Sequence, residues 1–556
     1  MKQAIAKLLK KEVGLSEEEI IPLLEIPPSL ELGDYSFPCF VLAGKLKQNP
    51  SEIAEELKRK LNLPKEIEKI KVSGSYLNFY MNKKLFAEKI IKEILSKKEN
   101  YGKGNSKGKI MVEFPSPNTN KPLHLGHLRN MAIGESVSRI LEFNNQKVVR
   151  ANLYNDRGIH ICKSMLAYQK YGKGKSPSIK LDHFVGKFYV LFNQKFKENK
   201  KLEQEAQELL QKWEAGDKKT IALWKKMNNW ALKGFKETYK LFGIRHDKEY
   251  YESKIYKKGK EIIFQGLKEK VFEKREGVIL INLGKELGEK ILLRSDGTSV
   301  YITQDLYLAK LKYEDFNLTG SIYVVGNEQD YHFKVLFTIL EKLGFAFSNN
   351  LKHLSYGMVL LPEGKMKSRE GNVVDADDLI EKVRGLVEKE LKSRDKLSKK
   401  ELKLRSLKIA LAAIKYFLLK VDLKKNMVFN PKESINFEGD TGPYLQYSYA
   451  RANSILKKIK IKKVKHEIFE LSDKEMELVK KLSQFPEIIE KSFHELNPSV
   501  IANYSYQLSK IFNEFYHDCP VINSKQEFFR IELVKSFMHV LKNCLHLIGI
   551  DVLEKM

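Results

Sequence analysis

The sequence predicts an α/β fold: a parallel, doubly wound sheet with a helical insertion, preceded by an α+β unit and followed by an all-α helical bundle. Three observations predict it. Short apolar strand signals alternate with amphipathic helices between residues 108 and 395. That rhythm is lost at about 160–290, under long charged helices, and from 396 to 556 the chain reads as helix throughout. At 556 residues the chain has room for several separate cores.

Residues 1–100 open with MKQAIAKLLKKEVGLSEEEI, an amphipathic helix charged along its length and therefore not a signal peptide. The turn-rich PPSLELGDYSFP and a helix around SEIAEELKRKL follow. IEKIKVSGSYLNFYM alternates in period two and reads as a strand pair turning at Ser73-Gly74-Ser75. KKENYGKGNSKGK (Lys97–Lys109) lacks apolar period and reads as a linker. Then come strand KIMVEF, a helix from Leu125 and strand KVVRANLYN. Further strand signals lie at VYITQDLYLAKL, SIYVVGNEQ and LSYGMVLLP, with a helix over FKVLFTILEKLG. The insertion carries EQEAQELLQKWEAGDKK and ALWKKMNNWALKGFKETYKLFG; the C-terminal bundle is broken by loops at NFEGDTGPY and HDCPV.

A formal charge of +28 points to a polyanionic partner such as nucleic acid. A lysine-rich proteome gives the same number, so charge alone leaves both readings open. No run of eighteen apolar residues predicts a membrane span. The four cysteines are scattered without a CxxC pair, which argues for a reducing, cytoplasmic compartment and against a structural zinc site.

EFPSPNTNKPLHLGHLRN (Glu113–Asn130) joins the end of a strand to the start of a helix, where open α/β folds bind ligands on free N–H groups. Gly126 permits close approach of a flat group such as adenine. His124 and His127, three apart in the first turn, can point at phosphates, and Lys121 adds positive charge upstream. A metal pair is the other reading of His-x-x-His, but a third ligand nearby is missing.

HLGH resembles the HIGH signature of class I aminoacyl-tRNA synthetases, and GKMKSREGNVV, about 240 residues later, resembles their KMSKS signature. The longer stretches EFPSPNTNKPLHLGHLRN, DGTSVYITQDLYLA, NEQDYHF, FEGDTGPYLQYSYARANSIL and FNEFYHDCPVI resemble the arginyl-tRNA synthetase family. GDYSFPCFVLAGKLKQNPSEIAEEL is similar to that family's additional N-terminal domain. The resemblance implies a Rossmann-type catalytic domain and a C-terminal anticodon-binding domain of the DALR kind. The stretch departs from KMSKS: Ser368 stands where a lysine is usual, Lys367 replaces a small residue, and Arg369 takes the last position. The resemblance implies that Lys121 compensates, beside Lys365 and Arg369 acting on the α-phosphate or the departing charge.

Arginine carries a planar charged fork best held by carboxylates making paired hydrogen bonds. Glu113 ends the strand feeding the HLGH turn, and Tyr301 and Asp305, four apart at the start of a probable helix, share one face. As isolated acids, Glu113 and Asp305 read better as helix caps or surface charges. The resemblance implies that they hold the guanidinium and that Tyr301 shapes the pocket. Asn118 and Gln329, with Ser116 nearby, would contact the amino and carboxylate end. It also implies that Gly357, Met358 and Val359 flank the adenine, that His332 reaches the ribose or phosphates, and that Ser368 belongs to the ATP site. Mg²⁺ is expected to arrive with ATP, with no structural metal in the protein. For tRNA, the resemblance implicates Tyr35 and Asn78 near the N-terminus and Tyr444, Tyr447, Arg451, Tyr516 and Met556 in the helical bundle. Tyrosines at helical spacing equally fit a helix core. The expected activity is that of an arginine–tRNA ligase, acting as a monomer with tRNA(Arg), L-arginine and ATP. The rivals are an inactive tRNA-binding paralogue, a nucleotidylyltransferase sharing the sheet, and a class I synthetase for another amino acid.

Overall fold

Alternating burial in the N-terminal hairpin sequence produces a three-stranded antiparallel sheet. Its strands are β1 (Tyr35–Pro38), β2 (Ile67–Ser73) and β3 (Tyr76–Met81), in the order β1-β3-β2. Gly74, at φ 57°, supplies the left-handed turn between β2 and β3. Helices Lys2–Val13 and Pro50–Lys60 bury Ile5, Leu9, Ile53 and Leu57 with Phe37, Leu77 and Phe79 of the sheet. The computed structural model describes residues 2–172, 174–298, 300–360, 374–394, 396–459 and 470–556. Packing divides the chain into one unit of Met1–Tyr101, Ser454–Phe485 and Lys510–Val540 and another of Gly102–Asn453, Pro486–Ser509 and Leu541–Met556. The stretch expected as a linker holds a single short turn, Lys98–Asn100, but Tyr101 is fully buried, its hydroxyl donating to Leu482 O at 3.3 Å.

The second unit is built on β4 (Lys109–Glu113), β5 (Lys147–Tyr154) and β6 (Lys248–Tyr251). A small antiparallel sheet follows, β7 (Glu273–Arg275), β8 (Val278–Asn282) and β9 (Glu289–Leu293), and then β10 (Gly320–Gly326) and β11 (Leu351–Tyr356). The five long-range strands are all parallel, in the order β11-β10-β4-β5-β6. The chain thus leaves β4 in one direction and returns on its other side at β10, creating a switch point between them.

The helices that position the site are α1 (Leu125–Phe143), α2 (Leu181–Glu198), α3 (Tyr301–Phe316), α4 (Asp330–Lys342) and α5 (Ala376–Arg394). α1 is buried on nearly every side. A Cβ at Gly134 would lie 2.3 Å from the Phe114 ring, so the turn after β4 packs against bare backbone. Arg150 of β5 ties the sheet to α1 through Glu135 (2.9 Å) and Glu142 (2.6 Å).

The stretch VYITQDLYLAKL, which carries a strand signal but also the helical spacing of Tyr301 and Asp305, is helix α3. Its β-branched start mimics a strand, but Ile302, Leu306 and Ala309 are buried at helical spacing. The region between residues 160 and 290 contains the expected long helices, among them α2, Lys201–Glu214 and Lys218–Phe242. It also returns β6 to the edge of the main sheet. KEYY is too short to display a period. Beyond residue 396 the described elements are helices, except for Met427–Val428, which pairs in parallel with Val359–Leu360. Among the described residues no helix is long and apolar enough to cross a membrane.

Candidate functional site

A cavity of about 850 Å³ opens at the switch point, beyond the C-terminal ends of β4 and β10. Glu113 of β4, the HLGH turn, Asp305 of α3 and the start of α4 all contribute to its wall.

The HLGH turn caps α1 with its own histidines. Gly126 N donates to His124 Nδ1 and His124 N donates to His127 Nδ1, both at 3.1 Å. A neutral ring that accepts at Nδ1 carries its proton at Nε2, so each histidine keeps an Nε2–H donor. Burial, then the Lys121 charge, lowers the His124 pKa to about 4; burial, His124 and Lys121 push His127 well down. Both are therefore neutral donors near pH 7, suited to a ribose or a phosphate oxygen. Gly126 has a structural reason of its own: a Cβ there would meet the His124 ring at 3.0–3.1 Å.

This burial makes a pH prediction. A histidine whose folded value lies near 4 against an ordinary 6.5 takes up protons more readily when unfolded. Stability is complete above 6.5 and falls as the pH drops from there towards about 4, by about 3 kcal/mol for His124 alone. Urea midpoints against pH should show this slope, and His124→Asn, which keeps a cap acceptor, should flatten it.

Lys121 lies outside this cavity and borders a neighbouring one of about 550 Å³, which shares His124 and includes His183 and Asp375. Lys365, Ser368 and Arg369 lie outside the described residues. The segment just after them is fixed to the HLGH turn by backbone bonds. Leu125 N donates to Val374 O at 3.1 Å and Ala376 N to Leu123 O at 2.9 Å, with a bridge between His124 and Asp375. His183 stands 3.4 Å from Asp375 and 3.3 Å from Asp377. Among the described residues, Asp182, His183 and Asp377, and likewise His183, Asp375 and Asp378, bring ligand-type atoms within 4.8 Å of one another. Lys180, 2.8 Å from Asp377, already places a positive charge there.

At the expected adenine end, Met358 and Val359 line the cavity and Gly357 does not. Gly357 is a packing glycine, since a Cβ would sit 2.5 Å from Lys425 O. Its backbone is spoken for: the N–H donates to Leu423 O at 2.8 Å and the carbonyl accepts from Arg129 at 2.6 Å. Arg129, fully buried, also donates to Met358 O (3.3 Å), Leu423 O (3.4 Å) and Lys425 O (3.1 Å). Sequence reasoning passed over it; its place in HLGHLRN, one turn below the histidines, was the available signal.

At the expected arginine end, Glu113, Ser116, Asp305 and Gln329 line the cavity together. Asn118 is exposed and bridges Asn155, and Tyr301 is 74% exposed; neither lines it. His332 does line it, but its Nε2 lies 2.8 Å from Asp305 Oδ2, so its partner is the carboxylate. A further residue appears that the sequence reading did not name. Lys312, two turns beyond Asp305 on the same helix, is buried with its Nζ 2.5 Å from Glu113 Oε2.

The expected RNA contacts are placed unevenly. Asn78 is 3% exposed, its Oδ1 accepting from Ser36 Oγ at 2.5 Å, so the inward face of the strand has taken it from the surface. Tyr35, in the same unit, borders a small cavity with Asp34 and Lys480. Tyr444, Tyr447 and Arg451 are half-buried along helix Gly442–Lys457, Arg451 donating to the Tyr447 hydroxyl at 2.8 Å. Tyr516 is 42% exposed, and Met556 is half-buried.

Comparison with known proteins identifies the three parts of the chain. Residues 90–431 match the family described as tRNA synthetases class I (R), catalytic domain. Residues 445–556 match the DALR anticodon binding domain and 1–81 the arginyl tRNA synthetase N terminal domain. The arginine–tRNA ligase of Treponema denticola is 48% identical over 559 residues, covering 96% of this chain and 94% of that protein. That of Borrelia hermsii is 47% identical, covering 100% and 99%. The Thermus thermophilus arginyl-tRNA synthetase structure superposes with a TM-score of 0.84 at 26% identity, covering 100% of this chain and 99% of its own. The Plasmodium falciparum arginyl-tRNA synthetase gives 0.78 at 25% identity, with the same coverage. With its three parts each matched and its parallel sheet superposed, the chain belongs to the class I arginyl-tRNA synthetase family.

Proposed function

We propose that the chain is an arginine–tRNA ligase that uses ATP. An arginine carboxylate oxygen attacks the α-phosphorus of ATP, which arrives with Mg²⁺, and pyrophosphate leaves. A terminal ribose hydroxyl of tRNA(Arg) then attacks the carbonyl carbon of arginyl-adenylate, releasing AMP and the hydroxyl proton. The observation that carries this reading is one cavity lined by the carboxylates Glu113 and Asp305, with the exposed Glu328 also on its wall, and by two neutral histidine donors, His124 and His127. The carboxylates suit a guanidinium, and the donors suit an anionic nucleotide. Ser116 and Gln329 offer polar groups to the amino acid, while Met358 and Val359 offer an apolar wall to adenine. Catalysis on this reading is orientation and charge stabilisation, with no covalent enzyme intermediate. Lys121, Lys365 and Arg369 supply the positive charge for the leaving group. The helical residues Tyr444, Tyr447, Arg451 and Tyr516 would stack on or neutralise tRNA. We further propose a cytoplasmic monomer, consistent with four buried free thiols; sedimentation tests the monomer.

The experiment is ATP–pyrophosphate exchange with each proteinogenic amino acid, with and without tRNA. Exchange with arginine alone, and only when tRNA is present, is the expected result. Exchange with arginine at full rate without tRNA removes the tRNA requirement. Binding of tRNA with no exchange for any amino acid identifies an inactive paralogue instead.

A further inference from the structure

We infer that Lys312 is a specificity-determining positioning residue for the amino acid: its ion pair with Glu113 holds that carboxylate in place at the cavity wall and sets the pocket's charge to match one guanidinium. This rests on the proposed arginine site. Lys312 is 1% exposed on α3 and Glu113 is 5% exposed at the end of β4. Their charged atoms are 2.5 Å apart, and among the described residues neither Glu113 Oε2 nor Lys312 Nζ has another hydrogen-bond partner. A buried ion pair is a poor stabilising device taken alone. At the wall of a substrate cavity it has another use.

A guanidinium requires acceptors, and a buried carboxylate with no counter-ion tends to pick up a proton and turn into a donor. Lys312 gives Glu113 a counter-ion 2.5 Å away. It also balances the pocket. Glu328, on the same cavity wall, is exposed to solvent, so the balance is drawn over the other two acids. Glu113 and Asp305 would oppose a single positive ligand with two negative charges; Lys312 cancels one of them. A guanidinium then balances the other, whereas a neutral ureido isostere such as citrulline leaves one carboxylate uncompensated. The other groups facing Lys312 fit this account. Tyr323 of β10 presents its ring 4.3 Å from Nζ, and Asp305 lies on the same face of α3, paired with His332 of α4. Burial works against the Lys312 charge, but Glu113 outweighs it, so the ammonium is held more firmly protonated than usual.

The test is steady-state ATP–pyrophosphate exchange with the full chain and saturating tRNA. Lys312→Met should raise the arginine KM by about 100-fold while leaving the ATP KM within about twofold. Lys312→Arg should restore most of the affinity. Equal rises in both KM values, or no rescue by Lys312→Arg, would overturn the inference and leave Lys312 a structural residue. Should Lys312→Met not fold, Lys312→Gln, which donates without charge, is read by the same criteria. Glu113→Gln separates the two layers. If it leaves the arginine KM unchanged, the arginine-site reading fails; if it raises it and Lys312→Met does not, only the Lys312 inference fails.

Discussion

Asp305→Asn should lower kcat/KM for arginine by about 1,000-fold and leave the ATP KM nearly unchanged. The carboxylate lines the cavity with Glu113, and on the proposed reading it accepts where a guanidinium donates. An asparagine keeps the size but turns an –NH₂ group towards the substrate's own donors, or else loses the charge that makes the bond strong. Removing one charged acceptor from a desolvated pair costs about 4 kcal/mol, which is the loss expected. His332 is affected as well, since its Nε2 partner at 2.8 Å changes from a carboxylate to an amide. The measurement is exchange with arginine, citrulline and lysine. A loss below tenfold, or an equal loss for all three, would remove Asp305 from the guanidinium site.

Arg129→Met should destabilise the second unit by about 4 kcal/mol and raise the ATP KM. The guanidinium is fully buried and donates to four backbone carbonyls, two from the Gly357–Met358 segment and two from the Leu423–Lys425 segment. Burial lowers its pKa to about 10, so it remains charged at neutral pH. Methionine fills the volume and leaves those acceptors without donors. Arg129→Lys should fall between, because one ammonium cannot span both segments. Urea unfolding gives the stability and exchange gives the ATP KM. A stable Arg129→Met protein with a normal ATP KM would show that the carbonyls find other donors.

The HLGH turn was legible because it rests on spacing within a short stretch, and the parallel sheet because strand and helix signals alternate along the chain; the pairing of Glu113 with Asp305 came only from the family resemblance. His124, Gly126 and His127 form one cap, and Glu113 ends the strand before it. What stayed hidden depends on tertiary context. Lys312 is one lysine in a lysine-rich chain, and only its burial beside Glu113 distinguishes it; a seven-residue step from Asp305 was the sole hint. Asn78 and Gly357 were expected to meet ligands, but strand register turned one inward and close backbone packing claimed the other. Tyr301 shares the first turn of α3 with the cavity's Asp305 yet is exposed, because four-residue spacing sets a face and not a depth.

The joint between the HLGH turn and residues 374–376 is made of main-chain atoms. A main-chain joint is indifferent to the genetic code: Leu123, Leu125, Val374 and Ala376 can each be replaced without removing the bonding groups themselves, provided the backbone path is kept. The side chains of the adjoining signature are then at liberty to drift. Lys367 and Ser368, where the family signature has other residues, are the kind of change such a joint lets a lineage accumulate.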